Sequence, residues 1–202
     1  RPVSSAASDV YKRQHVWSKS HGFPSESDTA YTDIHHIRPA DESVNSSRGT
    51  KDFDNGGSAH SEAVDCNYDS DSWEPRDAVK GDVARMMFYM EVRYDPGVHT
   101  DGTTYDLELV DYTGTSTSST NFGKLSTLIT WHANDPVDAF ESDRNESIYA
   151  YQGNRNPFID YPEFVNAIWG TTPSSPSNLS TTSLNENSLT LSWICLLYTS
   201  DA

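Results

Sequence analysis

His15 stands in the segment QHVWSKSH. The segment TDIHHIRPADESVNSSRGTKDFDNGG, residues 32–57, gathers two adjacent histidines, two arginines, four aspartates and two asparagines. An imidazole titrating near neutrality can take a proton from water, while side-chain oxygens can hold a hard divalent cation against a phosphate. Two readings of His15 stay open on spacing alone. Beside Val16 and Trp17 it is a structural histidine; faced by a helix bearing Asn45 it is half of a hydrolytic site.

The elements that must position these groups read as two strands and a helix. HVW, from His15, is a short apolar strand, and DIHHIRP, residues 33–39, alternates well enough for a second strand ended by Pro39. A helix follows, with Asp41 as its cap and Gly49 as its stop. On a strand, adjacent side chains point to opposite sides, so His35 and His36 cannot both face one cleft. Asp33 and His35 share a side, and an Asp–His hydrogen bond that fixes the motif is the expected role of this pair. Residues 50–74 are rich in Gly, Asp and Ser and read as loop.

Further on, WEPRDAVKGDVARMMFYMEVRY carries Val79, Val83, Met86, Met87, Met90 and Tyr94 at helical spacing, with Pro75 in the first turn. Residues 105–113 read as a strand or short element. Helices are expected from about Leu125 to His132 and through DAFESDRNESIYAYQ, the latter ended by Gly153. The body is therefore mainly helical around a two-stranded piece.

The chain of 202 residues has 14 basic and 30 acidic residues, a formal charge of −16. That charge repels a polyanion at long range, so binding one requires a metal or a local basic strip, for which Lys19, Arg38, Arg48 and Lys51 are the candidates. Cys66 and Cys195 lie in dissimilar contexts and imply no disulfide framework. No run of apolar residues is long enough to span a membrane. Asp65, Asn67, Asp69 and Asp71 alternate oxygens but lack the Gly and Glu of an EF-hand; the segment reads as a solvated loop, with a structural Ca²⁺ site as the minority reading.

Both ends look foreign. SSAASDVYKRQ and CLLYTSDA resemble translated sequencing adapters, so residues 1–14 are read as an artefactual leader and 194–202 as an artefactual tail. Between them, 15–169 form the body and 170–184 a Ser/Thr/Pro linker. Residues 185–193, with SLTLSW, resemble the truncated start of a fibronectin type III or immunoglobulin-like domain. A signal peptide is not present in this fragment.

Four blocks, QHVWSKSHG, TDIHHIRPADESVNSSRG, WEPRDAVKGDVARMMFYMEVRY and YQGNRNPFIDYPEF, resemble successive blocks of the endonuclease I family of secreted or periplasmic nonspecific bacterial nucleases. The resemblance covers roughly residues 15–169. It implies an α+β, mainly helical fold, in which a ββα-metal (His-Me finger) nuclease core with a small β-sheet is surrounded by helices. It also implies Mg²⁺, with Mn²⁺ or Ca²⁺ as substitutes, and a sequence-nonspecific DNA substrate, RNA being the second candidate. The product carries a 5'-phosphate, and the protein is expected to be a secreted or periplasmic monomer.

Laid onto this sequence, the resemblance makes His15 the general base and Asn45, from the family's Val-Asn pair, a metal ligand. The family's other ligand is the glutamate before the histidine, and here that position holds Gln14. A neutral amide binds Mg²⁺ less well than a carboxylate. An impaired binding module of nuclease-like fold is therefore the alternative reading. The family's phosphate-binding arginine has no counterpart in residues 20–32, and Arg38 is the candidate to replace it. Arg48 is expected to support the loop after the motif. Asn154 and Asn156 match a block near the cleft and are carried as supporting residues, beside Asp33 and His35.

Overall fold

The computed structural model describes residues 12–114 and 119–170 in full, and the strands at 177–185 and 188–194 by backbone alone. Residues 1–11 of the expected leader, 171–176 of the expected linker and 195–202 of the expected tail lie outside the described residues.

The motif opens with β1 (Lys12–His15), three residues earlier than the apolar HVW suggested. Val16 and Trp17 leave the strand and turn into the core, at 3% and 0% exposure. α1 (Thr29–Thr32) is a single turn. The expected strand at 33–39 is split: Ile34–His36 form a 3-10 turn, and only β2 (Ile37–Ala40) is extended. The cause is local. The Asp33 carboxylate accepts from the His35 backbone N–H at 2.9 Å, a cap that competes with strand pairing and buries His35 and His36 together. Pro39 sits within β2, tolerated because this two-stranded sheet has only edges.

β1 and β2 pair antiparallel, with Gln14 opposite Arg38 and His15 opposite Ile37. α2 (Glu42–Arg48) follows as expected. Asp41 accepts from the Ser43 and Val44 N–H groups, and Gly49 ends the helix at φ 56°, a conformation that favours glycine. Together these elements make a ββα unit.

Residues 50–74, expected as loop, contain β3 (Asp52–Phe53), β4 (Ser58–Ala59), β5 (Asn67–Tyr68) and β6 (Ser72–Glu74) in the order β3-β6-β5-β4. Two- and three-residue strands are too short to show alternation. Asp69 accepts from the backbone N–H groups of Asp71 and Ser72, so its carboxylate closes a turn rather than facing a cation.

α3 (Lys80–Arg93) starts later than Pro75 because Asp77–Val79 form a 3-10 turn. Met86, Met87, Met90 and Tyr94 of the stripe are core, whereas Val79 and Val83 are only partly buried and line a cavity. Beyond it come β7 (Gly97–Val98), β8 (Thr104–Tyr105), β9 (Glu108–Val110) and β10 (Asn121–Gly123). They form a hairpin β7–β8 and a parallel pair β9–β10. α4 (Leu125–Asn134) packs on α3, and α5 (Ala139–Gln152) ends at Gly153 in the left-handed region. α6 (Pro157–Asp160) is capped by Asn156.

A second compact unit spans Val165–Ala202. It holds most of α7 (Phe164–Trp169) and a hairpin of β11 (Ser177–Asn185) and β12 (Ser188–Ile194). The stretch read as linker thus carries a strand that pairs with SLTLSW. Its Thr181 and Thr182 are β-branched, which favours extended backbone.

Candidate active site

His15 lies at the end of β1, where main-chain contacts fix it from two directions. Arg48, 2% exposed, reaches back from α2 and donates through Nη1 to the His15 carbonyl at 3.0 Å and through Nη2 to the Val16 carbonyl. Its guanidinium stacks on Phe53 and Phe122, at 4.9 and 5.6 Å from the ring centres. Burial lowers Arg48 to a pKa of about 10, still charged at neutral pH. Arg48, expected to support the loop after the motif, makes its main contacts at the end of β1; the Gly49 carbonyl of the following loop lies at 3.4 Å.

The second contact sets the chemistry of the ring. His15 Nε2 lies 2.8 Å from the Tyr31 carbonyl oxygen, which can only accept, so Nε2 carries the proton and Nδ1 the lone pair. Burial lowers the His15 pKa, the Tyr31 carbonyl partly opposes this, and Lys19, Arg13 and Arg48 lower it further. The net effect keeps the ring neutral at neutral pH, as a proton acceptor must be. We expect an NMR titration to find the His15 midpoint below the ordinary 6.5. A midpoint above it would contradict this geometry.

A cavity of about 490 Å³ opens at this ring, lined by His15, Ser18, Ser20, Tyr31 and Asn45 with the cations Lys12, Arg13, Lys19 and Arg48. Among the described residues no carboxylate lines it. Lys19 lies 5.1 Å over the Tyr31 ring, and Lys12 is ion-paired to Glu42 at 3.1 Å. The structure thus brings His15, Asn45 and Arg48 to one cavity and leaves it locally cationic within an acidic protein. Lys12, Arg13 and Tyr31 were not anticipated. Tyr31 contributes through its carbonyl, which no residue type announces.

Gln14 and Arg38 are not brought there. As cross-strand partners they share the other face of the hairpin and line a second cavity of about 510 Å³ with Val44, Trp73, Asp82 and Phe140. Alternation along β1 is the reason: Gln14 and His15 are neighbours and point to opposite sides. Arg38 is occupied by Asp82 at 3.6 Å and by the Phe140 ring at 5.2 Å.

Asp33 and His35 lie behind the site. The Asp33 carboxylate accepts from the hydroxyls of Tyr89 and Tyr94 at 2.7 and 2.8 Å, from Gln152 Nε2 at 2.9 Å and from the His35 N–H. The expected Asp–His bond therefore runs through the His35 backbone, while the His35 ring donates through Nε2 to the Asn154 carbonyl at 3.2 Å. Asn154 also donates to the Tyr89 oxygen at 2.6 Å and so belongs to this network. Asn156 does not: it caps α6 and donates to the Arg85 carbonyl at 2.9 Å. His36, buried and held to a pKa of about 4 by desolvation, donates through Nε2 to the Ala30 carbonyl at 2.9 Å.

Among the described residues no cluster of three or more His, Cys, Asp or Glu could hold a metal. The Asn45 amide, half-exposed on α2, makes no side-chain hydrogen bond among these residues and lines the same cavity as His15. One amide oxygen among four cations does not hold Mg²⁺ by itself; the ion, which keeps several waters and takes substrate oxygens, would need the phosphate of a bound nucleic acid to supply the negative charge. With that phosphate in place the donor set fits, and Asn45 would be the protein's contact.

The family model of endonuclease I matches residues 3–163. The chain is 58% identical over 160 residues to an extracellular ribonuclease of Bacillus amyloliquefaciens, covering 79% of this chain and 54% of that protein. It is 56% identical over 160 residues to an extracellular ribonuclease of Bacillus subtilis (strain 168), with the same 79% and 54% coverage. To an extracellular deoxyribonuclease of Aeromonas hydrophila it is 26% identical over 133 residues, covering 63% and 49%. The chain thus spans about half the length of the relatives it matches.

Proposed function

The chain belongs to the endonuclease I family, and from that premise we propose that it is a nonspecific, Mg²⁺-dependent hydrolase of phosphodiester bonds in RNA and DNA, secreted like the extracellular relatives. The observation that carries this reading is the His15 ring. Its Nε2 is committed to a backbone carbonyl, its Nδ1 makes no hydrogen bond among the described residues, and it opens beside a free amide and four cations.

In the reaction, Lys12, Arg13 and Lys19 hold the substrate backbone by charge, which needs no base contact and gives no sequence preference. His15 Nδ1 takes a proton from the attacking water, and the Tyr31 carbonyl steadies the imidazolium that results. Arg48 keeps the His15 main chain in place while the ring changes charge. Bound at Asn45, Mg²⁺ would supply a Lewis acid that offsets charge on the scissile phosphate and on the departing 3'-oxygen. No helix among the described residues is long and apolar enough to cross a membrane.

Initial rates on RNA and plasmid DNA across a Mg²⁺ titration test this reading. The protein is expected to cleave both, leaving 5'-phosphate ends, and to stop in EDTA. Asn45→Ala is expected to raise the Mg²⁺ needed for half-maximal rate about tenfold or more, the size of effect seen when metal-site partners are lost. Gln14→Glu sharpens the test. A carboxylate at position 14 meets Arg38 across the strand pair, so the Mg²⁺ requirement should not move. A clear fall in that requirement would bring position 14 into the metal site. Absence of cleavage at every Mg²⁺ concentration would instead favour the noncatalytic binding module.

A further inference from the structure

Both histidine rings beneath the site hang on consecutive carbonyls of one short helix. His36 Nε2 donates to Ala30 O at 2.9 Å and His15 Nε2 to Tyr31 O at 2.8 Å. A helix of one turn cannot hold its own shape, because nucleating it fixes several residues for a single hydrogen bond. Nor does α1 cap itself: Asp28, at its N-cap, makes no cap bond and accepts from Ser25 N at 3.2 Å instead.

The missing cap comes from far along the chain. Asp101 Oδ2, in the loop of hairpin β7–β8, accepts from Thr29 N, the first N–H of α1, at 3.0 Å. The same oxygen accepts from the Tyr105 hydroxyl at 2.8 Å, and the Tyr105 oxygen accepts from Ala30 N at 3.4 Å. Thus the first two N–H groups of α1 end on an Asp101–Tyr105 pair. Asp101 is itself fixed, since Oδ1 accepts from Thr103 N at 2.9 Å. Tyr105 is buried and meets the Tyr94 ring edge-on at 4.9 Å, so the hairpin is tied to the end of α3 and not free to drift.

We infer that Asp101 is a positioning residue for the proposed base. By capping α1 from the β7–β8 hairpin, it holds the Tyr31 carbonyl where it fixes His15 as the Nε2–H tautomer. Asp101 does not line the His15 cavity; it acts through the three residues of backbone from Thr29 to Tyr31. The inference goes beyond the hydrolytic reading, since it concerns which ring nitrogen carries the proton whatever the cavity binds.

The test reads the tautomer itself. In the intact protein, a long-range ¹H–¹⁵N spectrum at neutral pH is expected to show His15 as a single Nε2–H form. Asp101→Ala should give a mixture of the two neutral tautomers, with kcat falling about five- to tenfold and KM staying within about twofold. Asp101→Asn keeps a side-chain oxygen for Thr29 N and should restore the single form. Thr29→Pro removes the same bond from the helix side while leaving the hairpin untouched. Proline suits the first helical position, and Asp28 already has the extended backbone that a following proline needs. It should reproduce the mixture even if Asp101→Ala does not fold. A single unchanged Nε2–H form in Thr29→Pro, or in a folded Asp101→Ala, overturns the inference, even where thermal stability drops. Lack of cleavage by a protein with an intact single tautomer would count against the hydrolytic reading and leave this inference standing.

Discussion

His15→Ala is expected to lower the Mg²⁺-dependent cleavage rate by about 10²- to 10⁴-fold, the usual contribution of a positioned general base. The loss should appear in kcat, because the cations that hold the substrate are on other residues. The Mg²⁺ concentration for half-maximal rate should change little, since Asn45, on α2, is the metal's protein contact. Folding should survive. The ring is only half-buried, and the main-chain carbonyls of His15 and Val16 that anchor Arg48 remain in the variant. A His15→Ala protein that cleaves at the rate of its parent removes the proposed base. One that loses activity only at low Mg²⁺ would recast His15 as part of the metal site.

Asp33→Ala should produce the largest loss of stability, about 3 to 5 kcal/mol in a urea unfolding experiment near neutral pH. Asp33 is 3% exposed, and its carboxylate accepts from two buried tyrosine hydroxyls, the Gln152 amide and the His35 N–H. Alanine leaves these donors without an acceptor in a site too enclosed for free hydration. The effect has a pH signature. Burial pushes the Asp33 pKa up, but the hydrogen bonds from Gln152, Tyr89 and the His35 N–H outweigh it and leave the folded value below the ordinary 3.8. For a depressed carboxyl the stabilisation is present above 3.8 and disappears as pH falls through the folded value. The stability gap between the two proteins should therefore be full at neutral pH and narrow in strong acid, by the part that the depressed carboxyl contributes. A gap that is constant with pH would locate the loss in packing rather than in the carboxylate.

Much of the site-bearing framework could be read in advance where local chemistry decides it. Asp41 and Gly49 bracket α2 because a cap and a left-handed glycine act within one turn. Gly153 ends α5 in the same way. Strand geometry was harder. The alternation rule was applied to His35 and His36, which lie on a 3-10 turn, whereas it governs Gln14 and His15, which lie on β1. Periodicity could not reveal this, because the Asp33 carboxylate that converts the strand into a turn is itself held by Tyr89, Tyr94 and Gln152, far away in sequence. β3 to β6 left no pattern because strands of two or three residues are too short to carry one. Arg48 ends α2, where support of the following loop is the reading its position offers; that it grips the carbonyls of His15 and Val16 depends on packing alone.

The bond from the His15 ring to the Tyr31 carbonyl also separates two kinds of evolutionary freedom. The oxygen that orients the base belongs to the main chain, and every amino acid offers it, while the Tyr31 side chain lines the substrate cavity. Position 31 can therefore change its side chain and keep that oxygen, but the change also removes a ring that packs on His15 at 4.6 Å and lies under Lys19. A library randomised at residue 31 alone should therefore separate the two contributions, since every folded member keeps the carbonyl that sets the His15 tautomer while only aromatic members keep the ring against His15.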